Sequence, residues 1–108
     1  MVYYFQFGYH RPEDWNLVRT DPQFDCETAG VIAVDAESEV AAHEWGVIIA
    51  RWYTASVHPA RSEYRWSEQD YAVWTSLSPP EGDDVSRLPR VRVEEYPELR
   101  AMREYLGD

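Results

Sequence analysis

The segment HEWGV, residues 43–47, begins like the zinc-protease pattern H-E-x-x-H, in which two histidines one helical turn apart share a metal and the glutamate acts as base. Position 47 is Val, so the second imidazole is missing and His43 reads as a helical histidine beside a solvated Glu44. His10 and His58 stand in proline-containing segments, far from His43 along the chain. An enzyme or ligand pocket built on them requires the fold to bring His10, His43 or His58 together with carboxylates. The seven serines and four threonines include none in a G-x-S-x-G turn, and the five glycines are scattered singly, so neither a nucleophile elbow nor a phosphate loop is present. Cys26, the single cysteine, is flanked by Asp25 and Glu27, whose charge disfavours the thiolate. Glu81, Asp83 and Asp84 lack EF-hand spacing and read as a solvated acidic loop. No catalytic residue, metal or cofactor is expected.

Charge narrows the partners. Twenty acidic residues oppose ten basic ones, all arginine, for a net charge of −10. Such a field repels phosphate backbones and anionic lipid and accelerates encounter with a basic protein surface. Nucleic acid and membrane are therefore not expected partners. No run of about 18 apolar residues is present and the N-terminal stretch does not read as a signal peptide, which makes the cytoplasm the expected compartment.

The elements that must position these groups follow from periodicity. In VYYFQFGY, residues 2–9, Tyr3, Phe5, Phe7 and Tyr9 share one parity, which predicts a strand with one apolar face. Residues 10–30 read as a long loop with a helical turn begun at Pro12 and anchored by Trp15 and Val18. VIAVDA, residues 31–36, is a second strand. It leads into a helix capped by Ser38, with Ala41, Trp45, Ile48 and Trp52 as its inner stripe, ending before His58-Pro59. Gly46 in mid-helix marks close packing against a strand. Residues 64–66 and 71–77 read as a hairpin around SEQD, residues 78–90 as an acidic proline-rich loop, and Val91–Val93 as an edge strand. Around Arg87, Arg90 and Arg92, internal pairing with the preceding acids is expected. A last helix starts at Pro97, carries Leu99, Met102 and Leu106 as a stripe and stops at Gly107.

The expected fold is one α+β domain over residues 1–108: a mostly antiparallel sheet of four to five strands with two helices on one face. Five tryptophans and eight tyrosines exceed what one small core easily buries, and these rings are favoured at interfaces. Trp15, Tyr64, Trp66 and Trp74 are the expected exposed anchors, with Glu81, Asp83 and Asp84 as steering charges. The expectation is a protein-binding module with a basic partner, for example a toxin or nuclease. In size, charge and aromatic richness the chain is similar to small acidic bacterial immunity proteins and inhibitors of nuclease toxins; the similarity is compositional and carries over no binding residue. The alternative is a subunit that forms a homodimer or a permanent complex.

Overall fold

The alternation of VYYFQFGY becomes strand β1, Val2–Tyr9. Its Tyr3, Phe5, Phe7 and Tyr9 are buried, each such ring being worth roughly 1.5–3 kcal/mol of apolar transfer. The computed structural model describes residues 1–21, 23–24, 26–60, 63–82 and 84–108. Strand β2, Thr28–Asp35, and strand β3, Val73–Ser76, flank β1 and run antiparallel to it. Strand β4, Arg90–Arg92, lies parallel to the outer side of β2, giving a four-stranded mixed sheet of order β3-β1-β2-β4. This is the expected α+β domain, with one parallel pair and three helices where two were expected.

The long helix α2, Glu39–Val57, starts where Ser38 accepts the Ala41 N–H at 3.1 Å and ends at His58, before Pro59. Its inner face is rotated from the expected stripe. Its buried residues are Ala42, Trp45, Gly46, Val47, Ile49, Ala50, Tyr53 and Thr54, so of the expected stripe Trp45 is buried, whereas Ile48 is 40% exposed and Ala41 and Trp52 are half-buried. The reason is bulk at one point: the Phe5 ring already fills the interlayer space, so the helix turns Gly46 toward it, while the larger Tyr53 ring packs edge-on against Tyr9 further along. Trp45 and Trp52 both meet the Tyr96 ring, at centroid distances of 5.1 and 5.2 Å.

Gly46 marks the point of closest approach, as its place in the sequence suggested. A Cβ there would lie 2.3 Å from Cγ of Phe5, a ring with no solvent exposure to retreat into. In an exposed helix Gly→Ala stabilises by about 1 kcal/mol. Here overpacking of about 1–3 kcal/mol outweighs it, so Gly46→Ala should lower the urea unfolding midpoint; a raised midpoint would show that Phe5 can move aside.

Helix α1, Pro12–Thr20, is longer than the single turn expected, with Pro12 at its start and Glu13 and Asp14 in its first turn. Helix α3, Leu99–Leu106, buries Met102 and ends at Gly107, whose φ of 78° is the left-handed stop that glycine accepts readily. Leu106 reaches Gly30 beside Phe7, placing α3 on the same sheet face as α2. Between β4 and α3 the chain turns at Glu94, φ 74°. No helix among the described residues is long and apolar enough to cross a membrane.

The expected hairpin is absent. Only VWTS of its second arm forms a strand, and it pairs with β1; residues 64–66 run without strand pairing. The alternation of Tyr64 and Trp66 with Arg65 was a true signal of a two-sided segment, but its aromatic side turns inward.

Candidate functional site

Two helices on one face leave the other face of the sheet partly open. Antiparallel register puts Trp74 opposite Gln6 and Tyr4 opposite Ser76, so Trp74 belongs to the parity that points away from the core. Its indole is 49% exposed, with Tyr4 and Val2 half-buried on the neighbouring strand. Residues 84–88 fold over the far half of this face. Val85, Ser86 and Leu88 enclose a cavity of about 340 Å³ with Val2, Tyr4, Ala33 and Arg90. Val85 is itself 44% exposed. Trp74, Tyr4 and Val85 thus stand on the same side of one rigid sheet.

The acidic loop is anchored where it enters the 3-10 turn at Val85–Arg87. Asp84 accepts hydrogen bonds from the Ser86 N–H at 3.1 Å and the Ser86 hydroxyl at 2.7 Å. These bonds hold its carboxyl below the usual carboxylate range, so it is charged at neutral pH. Glu81 and Asp84 are exposed. Asp83 lies outside the described residues. Among the described residues Arg90 pairs with Asp35 at 3.6 Å, and the positive charge of Arg87 acts on the preceding Asp84. Strand β3 forms one edge of the sheet; the alternation of its ladder directs the backbone groups of Val73 and Thr75 outward, where another strand could pair.

Three of the expected anchors belong elsewhere. Tyr64 is 5% and Trp66 6% exposed, against the expectation that both face solvent, and Trp15 is half-buried. Each finds partners inside. The Trp66 indole N–H donates to the Gly8 carbonyl at 2.8 Å, the Tyr64 ring stacks on His58 at 3.8 Å, and Trp15 packs edge-on to Tyr64 at 5.3 Å. The cluster gathers two of the three histidines. His58 donates through Nε2 to the His10 carbonyl at 2.8 Å, and Nδ1 of His10 lies 2.9 Å from the Tyr71 hydroxyl. Burial lowers the pKa of His58 below its ordinary 6.5, so at neutral pH its ring is uncharged, with the proton on Nε2.

His43 stands apart, its Nδ1 2.8 Å from the Thr75 hydroxyl and its Nε2 3.2 Å from Glu68. Carboxylate, imidazole and hydroxyl in this order resemble a nucleophile relay. A relay also needs a recess for substrate and donors for an oxyanion, and the principal cavities are lined by other residues. The contact ties the 67–70 turn to α2 and β3. Among the described residues no group of three or more His, Cys, Asp or Glu is placed to hold a metal ion.

A further polar tie was not legible in the sequence. The hydroxyls of Tyr9 and Tyr53 both donate to Oδ2 of Asp108, the Tyr9 bond at 2.8 Å. Burial, reinforced by Asp108, raises both pKa values far above 10, and burial does the same for Tyr64. An unfolded tyrosine ionises near 10, so the stability these groups contribute is complete below pH 10 and is lost as pH rises beyond it. Spectrophotometric titration should therefore show three tyrosines ionising only together with loss of the far-UV signal. Complete tyrosinate formation in the folded protein would contradict this burial.

Compared with protein-family models, with curated proteins and with solved structures, the chain matches none.

Proposed function

We propose that the protein is a small acidic protein-binding module that engages a basic partner through the open face of its sheet. The observation that carries this reading is Trp74: an indole half out of water on a paired strand, on the same sheet face as Tyr4, on a chain of net charge −10. Rigid, half-exposed aromatics make binding hot spots because they give up much contact area at little entropic cost. The carboxylates of Glu81 and Asp84 act over a longer range, steering encounter rather than holding the complex. A basic toxin or nuclease would present the complementary charge.

The partner is obtained by affinity capture from the native cell extract, and surface plasmon resonance then separates the two roles. The double variant Glu81→Gln, Asp84→Asn should associate severalfold more slowly and with a flatter salt dependence, while its dissociation stays near that of the parent. A change confined to dissociation would place these carboxylates in the contact itself and remove their steering role. Self-association through the same face is the competing outcome, visible as a sedimentation coefficient that rises with concentration in the absence of partner.

A further inference from the structure

A second concave site lies on the opposite flank of the molecule, where the end of α2 meets the segment leading to Trp66. Its cavity of about 330 Å³ falls at the small end of ligand-sized pockets, about 300–1,000 Å³. Among the described residues that line it are two of the ten arginines, Arg51 and Arg65, and none of the twenty acidic residues. On so acidic a chain this is a local reversal of charge. Arg65 is braced by donation to the Tyr64 carbonyl at 2.7 Å. Arg51 is exposed on α2, and no described carboxylate forms an ion pair with it.

The remaining wall is largely apolar and carries planar rings. Ala55, Pro59 and Ala60 line it together with the buried rings of His58, Tyr64 and Trp66. The polar tips of these groups are mostly spent internally: the indole N–H of Trp66 on Gly8, Nε2 of His58 on the His10 carbonyl, and the Thr54 hydroxyl on the Ala50 carbonyl at 2.9 Å. The recess therefore offers guanidinium donors at its rim and apolar contact within. A guanidinium binds a carboxylate or phosphate in bidentate fashion.

We propose that this recess is a binding site for a small organic anion with a flat apolar body, a carboxylate or phosphate carried on a ring, whose charged group is held by Arg51. The site is separate from the protein-binding face, and neither proposal depends on the other. Titration of the isotope-labelled full chain with benzoate and with phenyl phosphate, followed by heteronuclear NMR, tests it; benzyl alcohol serves as the neutral isostere. Saturable shifts centred on Arg51, Ala55 and Tyr64 are expected with at least one of the anions, and about tenfold weaker binding of the alcohol. Arg51→Gln should reduce the anion affinity by about tenfold while leaving the rest of the spectrum in place, and Arg51→Lys should restore part of it. A preference for one anion over the other would identify the charged group. Absence of saturable shifts with both anions, equal binding of the alcohol, or undiminished binding by Arg51→Gln would overturn the proposal.

Discussion

Replacing Trp45 by Ala should cost about 3–5 kcal/mol of folding stability. Trp45 is 8% exposed, its indole N–H donates to the Glu95 carbonyl at 2.9 Å, and its ring lies against Tyr96. Truncation opens a cavity between α2 and the segment before α3 and frees that segment from the helix. Domains of this size are stable by only about 5–15 kcal/mol, so the variant would retain a narrow margin. Urea unfolding should show a lower midpoint with an unchanged slope. Trp45→Phe, which keeps most of the contact but loses the hydrogen bond, should recover more than half of the loss. A melting temperature equal to the parent's would mean that Trp45 is not part of the core.

The second large effect concerns binding rather than folding. Trp74→Ala should speed dissociation from a captured partner by about thirtyfold or more, the equivalent of a hot-spot loss of about 2 kcal/mol. Its association rate should change little, because long-range charge is untouched. Folding stability should fall by no more than about 1 kcal/mol, the scale of a cross-strand pair such as Trp74 with Gln6. Trp66→Ala should behave in the opposite way, weakening the fold because its ring is 6% exposed and its N–H is committed to Gly8. If Trp74→Ala binds like the parent, the open face is not the interface.

Much of this architecture was legible because it rests on local rules. Parity identified the buried face of β1, Ser38 and Pro59 bounded α2, Gly107 ended α3, and Gly46 marked close packing against a strand. Phase and partnership were not legible. The inner line of α2 shifted because Gly46 had to meet the Phe5 ring, which only the packed pair of layers reveals. Tyr64 and Trp66 looked like interface rings in a hairpin, yet the Tyr64 hydroxyl accepts from the His10 backbone N–H and the Trp66 indole donates to the Gly8 carbonyl, partners more than fifty positions away in sequence. The same distance hid the tie of Asp108 to Tyr9 and Tyr53. Of the candidate surface, Trp74, Glu81 and Asp84 were readable as residue types in a polar context. Tyr4 had a readable signal too, being of opposite parity to the buried rings. Val85 had none, since only the fold of residues 84–88 over the sheet places it there.

The most direct test of the open-face account is hydrogen exchange on the complex with the captured partner, compared with the protein alone. Slowed exchange should concentrate in β3, Val73–Ser76, and in residues 84–88, with α3 and the outer surface of α2 unchanged. Protection confined to α2 or α3, with β3 exchanging as in the free protein, would contradict it.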